Sequence, residues 1–261
     1  MKTCLVSVIS YRHMPVKAVG CIMNLNYIVK HQLIDYIEGK ITPEDFENKA
    51  FIPDVYIGGD DALVGRARSM IMQYFLNNNY DYGIFVDQDI VWQTGHLKKI
   101  YDRLHSGKYQ IIGANYATKH GETLHKCYSA SRPEFGSTIQ YHKDAEPIEI
   151  KWLAGGCFGV TREAVLKIIN HHKLKPLHNG AFYPLFETKV TSNPMNNNYD
   201  YYLSEDYYFC ELAKEAGIKI WLDPSIYDLG HIGEFNYHLA DSKVLHVRAN
   251  DFSITEKAVE R

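Results

Sequence analysis

The sequence is short of what several protein classes require. Among 261 residues there are five cysteines, Cys4, Cys21, Cys127, Cys157 and Cys210, odd in number and without a C-x-x-C pair. That excludes a disulfide framework and a zinc knuckle as organising devices, and predicts reduced thiols in or near the core. No apolar run approaches the roughly 20 residues that span a membrane. The first apolar stretch, residues 4–9, is too short for a signal peptide, so the expectation is a soluble chain kept in the cytosol. Charge of one sign is also missing. Lys and Arg number 28 against 31 Asp and Glu, a net charge of -3, which provides no electrostatic footprint for nucleic acid.

What is present is the composition of an ordinary globular chain, 46% hydrophobic and 23% charged, long enough for one large α/β domain. Residues 5–10 read as a buried strand. Pro15 then suits a helix start, with Val16, Val19, Met23 and Tyr27 at helical spacing. A helix start at Thr42-Pro43-Glu44-Asp45 precedes a second strand at 54–57. Asp60 or Asp61 can cap a third helix whose apolar face is Leu63, Ala67, Met70, Ile71, Tyr74 and Phe75. Arg66 and Arg68 cannot both lie on that face, which leaves Arg68 for an anionic ligand or for the acidic strand end that follows. Thr94 can cap a helix through Leu97, Ile100, Tyr101 and Leu104, and residues 109–116 read as another strand. Strand and helix alternating in this way predict a mostly parallel, twisted sheet of Rossmann type covered by helices. Residues 117–151 break into short strand-like pieces, expected as a smaller mixed-sheet part.

The chain is organised around Gly83-Ile84-Phe85-Val86-Asp87-Gln88-Asp89, an apolar strand running into two carboxylates. In open α/β sheets ligands bind at that end of the strands, and residues i and i+2 of an extended segment point the same way. Two oxygen donors side by side suit Mg²⁺ or Mn²⁺. Trp152-Leu153-Ala154-Gly155-Gly156-Cys157-Phe158-Gly159-Val160 reads as a strand interrupted by a glycine pair, as at a bulge or a close ligand. Ser204 can cap a helix that has Glu205 and Asp206 in its first turn. A last strand at 218–222 and the turn Asp223-Pro224 lead to Leu229-Gly230-His231-Ile232-Gly233. Residues 174–203 form a long aperiodic segment, expected as a functional lid or a disordered stretch.

In this order, Ala67-Arg68-Ser69, the Asp-X-Asp strand, the Gly-Gly segment, Ser204-Glu205-Asp206 and Asp223-Pro224 followed by His231 resemble the GT-A class of nucleotide-sugar-dependent glycosyltransferases. Within that class they are similar to small soluble inverting enzymes of viral and bacterial type. Ser69 departs from the pattern, which often has Asn there. The resemblance implies one domain over 1–261, with a nucleotide-binding half (1–116), an acceptor and catalytic half (117–234) and a polar extension (235–261). It also implies transfer of a sugar from a nucleotide-diphosphate sugar, with UDP as the base, to a hydroxyl of a glycan or glycoprotein, with inversion. Asp89 would ligate Mn²⁺ or Mg²⁺, Asp87 would bind the ribose or the metal, and His231 would be a further ligand. Asp206 would be the general base, with Glu205 as its competitor. Ser7, Ser10, Arg12, Asp60, Gln88, Gly155 and Gly156 fall where the class holds the nucleotide sugar, and Lys119 and Trp152 would line the sugar or acceptor site. A homodimer is compatible, and for a viral protein the compartment would be the host cytoplasm.

Two other enzyme readings share these features. Asp87-Gln88-Asp89-Ile90-Val91 also fits haloacid-dehalogenase-type phosphatases, with Asp87 as nucleophile, although two strands precede it here. A sugar nucleotidyltransferase usually has a glycine-rich loop where this chain has Ser10-Tyr11-Arg12-His13. A carbohydrate-binding protein without turnover would use the 20 Tyr and 3 Trp for stacking.

Overall fold

The computed structural model describes residues 2–11, 13–59, 61–93, 95–119, 129–132, 138–192, 200–233, 236–238, 244–247 and 254–256. Arg12, Asp60 and Thr94, named above, lie outside them. The first half runs β1 (Cys4–Ser10), α1 (Val16–Ile37), α2 (Pro43–Lys49), β2 (Asp54–Gly59), α3 (Val64–Asn77), β3 (Tyr82–Asp87), β4 (Ile90–Val91), α4 (His96–His105) and β5 (Ile111–Gly113). There follow β6 (Thr138–Gln140), β7 (Ile148–Glu149), β8 (Cys157–Thr161), α5 (Arg162–His172), β9 (Lys189–Ser192), β10 (Asp200–Leu203), α6 (Glu205–Glu215), β11 (Ile220–Leu222), β12 (Gly230–Ile232), β13 (Asn236–His238), β14 (Val244–Val247) and β15 (Ile254–Glu256).

Seven strands form the central sheet in the order β2-β1-β3-β8-β5-β11-β7. Strands β2, β1, β3, β5 and β11 point one way and β8 and β7 point the other. The sheet is therefore mostly parallel, as the alternation of elements predicts. Strand β8 is the exception that local pattern does not reveal: it enters antiparallel between β3 and β5. Smaller sheets are β13-β12-β4, β15-β14-β6 and the β9-β10 pair.

Both faces of the sheet's central strands are covered, which is why β1, β3, β5 and β8 are largely apolar and buried, whereas the edge strand β2 is exposed. On one face Leu5, Ile9 and Phe85 meet Ala67, Ile71 and Phe75 of α3, Val165 and Ile168 of α5, and Phe209 and Leu212 of α6. On the other Val6, Val8, Ile84 and Val86 meet Cys21 and Leu25 of α1 and Leu97, Ile100, Tyr101 and Leu104 of α4. Local signals set several boundaries. The Thr42 and Thr161 hydroxyls accept from Asp45 and Ala164 N–H, each at 3.1 Å, and Gly107 and Gly217 adopt positive φ after α4 and α6.

Three local readings need correction. Leu63, Met70 and Tyr74 are exposed on α3, and its buried face includes Arg68, Ser69 and Met72 instead, because a buried ion cluster lies beneath that helix. Asp61 does not cap α3 directly; it accepts from Leu63 N–H at 2.9 Å and binds Arg66. In α1, Ala18, Cys21 and Leu25 are the buried residues, whereas Val16, Val19, Met23 and Tyr27 face outward.

Candidate functional site

The site lies at the carboxyl edge of the sheet. Strand β1 connects outward to β2, and β3 lies on its other side, so the ends of β1 and β3 form the crevice where strand order reverses. Gln88 bridges it: its Oε1 accepts from Ser10 Oγ at 3.0 Å and from Tyr11 N–H at 2.8 Å, and its N–H donates to Ile9 O at 3.0 Å.

Because β3 stops at Asp87 and the chain turns at Gln88 and Asp89, the two aspartates do not project side by side. Asp87 faces Arg68 of α3, whose Nη2 donates to its oxygens at 2.9 and 2.8 Å. The other terminal nitrogen of Arg68 binds Glu205 at the start of α6. Arg68 is 3% exposed, and its Nε has no acceptor among the described residues. Of the two expectations for this arginine, the structure realises the acidic strand end. Burial pushes the carboxyls of Asp87 and Glu205 above the usual carboxylate range, and Arg68 offsets that only in part.

Asp89 lies against different cations. Lys119 holds its Oδ2, and His231 Nε2 is 3.6 Å from the same oxygen. Burial raises the Asp89 carboxyl, but hydrogen bonding from His231 and Lys119 outweighs it and holds the group at about 2. Backbone pairing delivers the histidine: β12 lies antiparallel to β4 with His231 opposite Ile90, and Ile232 N–H donates to Asp89 O at 2.8 Å. The connection from β11 to β12 is tied down by Asp223, which accepts from Arg103 Nε at 3.0 Å, and by Asp228, 2.8 Å from His96 Nε2. His231 Nδ1 lies 2.7 Å from Ala117 O. A carbonyl accepts only, so Nδ1 carries a proton, and Nε2 is the nitrogen turned to Asp89.

Asp206, beside Glu205, accepts from Gly155 N–H at 2.9 Å, from Tyr207 N–H at 2.8 Å and from the Ser204 hydroxyl. The last bond replaces the expected cap, since the Ser204 side chain makes no bond to the helix backbone. The glycine pair precedes β8 rather than interrupting it. A Cβ on Gly155 would lie 2.7 Å from Arg68 Cζ, and one on Gly156 would collide with the Tyr116 hydroxyl. What approaches the pair closely is therefore the protein's own Arg68 and Tyr116. Tyr116, whose oxygen accepts from Gly156 N–H at 2.9 Å, is a site residue that sequence reading missed. Its signal was its position as the last residue of a predicted strand.

Other expected contacts fall elsewhere. Ser7 is wholly buried within β1 and donates to Ile84 O at 3.3 Å, which removes it from the crevice. Trp152 is a buried wall residue: it stacks on Tyr207 with centroids 5.2 Å apart, donates to Glu211 at 2.5 Å and has Lys151 Nζ 4.3 Å from its ring centre. Lys119 belongs to Asp89.

Among the described residues no three His, Cys, Asp or Glu side chains gather as a metal cage. Asp89 and His231 nevertheless fit a divalent cation as two of its ligands, one carboxylate oxygen and one imidazole nitrogen, with phosphate oxygens and water for the remainder. Asp87 does not fit as a direct ligand, because both of its oxygens accept from Arg68. Four carboxylates, Asp87, Asp89, Glu205 and Asp206, face two cations, Arg68 and Lys119, an excess of negative charge that a dication would balance.

No protein-family model and no curated protein matches the chain. Among solved structures, it is similar to A197 from STIV, 16% identical over 99% of this chain and 97% of that one, with a TM-score of 0.48. It is also similar to GalNAc-T7, solved with UDP, GalNAc and Mn²⁺, 14% identical over 91% of this chain and 44% of that one, TM-score 0.46. UDP-glucose pyrophosphorylase in its apo form is 13% identical over 85% of this chain and 90% of that one, TM-score 0.40. Likeness at this level assigns no role to any residue.

Proposed function

We propose that this chain is an inverting, metal-dependent glycosyltransferase that moves a sugar from a nucleotide-diphosphate sugar to an acceptor hydroxyl. The observation that carries this reading is the convergence, at the crevice beyond β1 and β3, of Asp89 with His231 and, across Arg68, of a second acidic group on the first turn of α6. The GT-A resemblance of the motifs supports it from the sequence side.

In this reading Ser10 and Gln88 border the nucleotide, and UDP is the proposed base. Asp89 and His231 would hold a divalent cation, Mn²⁺ in preference because of the imidazole ligand, whose chemistry when bound is to neutralise the departing diphosphate. Asp206 is the proposed general base. It takes the proton of the acceptor hydroxyl while that oxygen bonds to the anomeric carbon, and the bond from that carbon to the diphosphate breaks with its electron pair on the phosphate oxygen. Attack opposite the leaving group inverts the centre. Glu205, one oxygen of which is bound by Arg68, is the competitor for the role. Arg68 also weighs against the phosphatase reading, since it covers both oxygens of Asp87, the would-be nucleophile.

Thermal unfolding with UDP-, GDP- and dTDP-sugars, with and without Mn²⁺, tests the proposal, because a ligand of the native state raises its apparent stability. Stabilisation by one nucleotide family, dependent on Mn²⁺ and lost in Asp89→Ala, is the expected result. Response only to Mg²⁺ and a phosphate analogue would overturn it.

A further inference from the structure

The two cations that face the acidic cluster are held in opposite ways. Arg68 is fixed: it is buried and binds Asp87 and Glu205 at once. Lys119 is at the rim, its side chain 38% exposed, and among the described residues it binds Asp89 alone. A lysine is a point charge on a flexible stem, and an ion pair this exposed is worth little. Its position matters more than its strength. Lys119 Nζ sits on Asp89 Oδ2, and His231 Nε2 lies 3.6 Å from that same oxygen, so the ammonium stands at the two donors that suit a divalent cation. Those donors are themselves held. His231 is fixed by Ala117 O at 2.7 Å, by the Tyr116 ring edge-on with centroids 5.1 Å apart, and by the pairing of β12 with β4, and Asp89 O accepts from Ile232 N–H at 2.8 Å. The lysine side chain is the part that can give way.

We propose that Lys119 is a resident counter-ion: it neutralises Asp89 in the metal-free protein, yields that carboxylate to a dication, and then binds the diphosphate of the donor. An ammonium and a dication on one carboxylate repel each other, so each weakens the other's hold. Inward, the displaced ammonium finds Asp87 and Glu205 already taken by Arg68; the anion left for it is the ligand's own. Metal and diphosphate binding are then cooperative, since an anion that draws Lys119 away frees Asp89 for the metal. The assignment rests on the metal-site reading given above.

The first probe is Mn²⁺ alone, titrated into the full chain without nucleotide, with the free ion followed by electron paramagnetic resonance. Lys119→Met should bind it roughly 10-fold or more tightly than wild type, the order expected for removing a positive charge beside a dication. The Mn²⁺-induced rise in unfolding temperature should grow accordingly. Lys119→Arg, which keeps the charge, should bind Mn²⁺ no more tightly than wild type, and adding Asp89→Ala to Lys119→Met should remove the gain. The second probe is UDP at saturating Mn²⁺. Its dissociation constant should rise about 10-fold in Lys119→Met, the order of one hydrogen bond to a charged group, and be largely restored in Lys119→Arg. Equal Mn²⁺ affinity in wild type and Lys119→Met overturns the proposal and leaves the metal site standing, whereas no Mn²⁺ binding by either overturns both. Tighter Mn²⁺ binding with unchanged UDP binding overturns the diphosphate step.

Discussion

Replacing Arg68 by methionine removes the one cation that Asp87 and Glu205 share, and with it a positive charge close to Asp206. Methionine fills most of the arginine's volume, so the change is mainly electrostatic. Arg68 is nearly inaccessible, which means that water does not replace it, and stranding buried carboxylates in this way costs about 3–5 kcal/mol. For a chain of this size that corresponds to a fall in unfolding temperature on the order of 10 °C. The sign of its pH dependence is fixed as well. Burial already raises the carboxyls of Asp87 and Glu205, and losing Arg68 raises them further. An acid whose folded value lies above its unfolded one contributes stability below the unfolded value and loses it as pH rises through the folded value. The Arg68→Met deficit should therefore be small near pH 4 and grow towards pH 8. Urea unfolding followed by tryptophan fluorescence, in EDTA so that no added metal substitutes for the charge, measures it at each pH. A deficit below about 1 kcal/mol, the range of an exposed pair, or one that does not change with pH, would refute the account of this cluster.

Two further outcomes are expected. Asp206→Asn should leave Mn²⁺-dependent donor binding intact while turnover falls by a factor on the order of 10² to 10⁴, the usual contribution of a general base; near-normal turnover would move the role to Glu205. Asp89 is held at about 2, below its unfolded value, so its contribution of about 2 kcal/mol is present above the unfolded value and is lost as pH falls through about 2. Asp89→Asn should accordingly destabilise the metal-free protein at pH 6 and make little difference near pH 2, as unfolding curves at the two values would show.

Much of the scaffold depends on neighbours a few residues apart, and those parts were legible in the sequence: the apolar strand ending at Asp87, the helix start at Thr42, the buried face of α4, and the acidic first turn of α6. Each is set by spacing and capping chemistry that act within one or two turns. The site depended on pairings of distant segments. Two aspartates one residue apart read as a matched pair, yet a turn at Gln88 sends Asp87 to Arg68 and Asp89 to Lys119 and His231. The Gly155-Gly156 pair signalled a close approach without naming Arg68 and Tyr116 as the groups that make it. His231 reaches Asp89 only because β12 pairs with β4, and β8 reverses direction inside a sheet whose other central strands run parallel. On α1, apolar residues at helical spacing predicted a helix but not which side the sheet would take. That choice was settled by packing: the narrow Ala18, Cys21 and Leu25 face lets the helix lie on the sheet, and the bulkier Val16, Met23 and Tyr27 face is left outside.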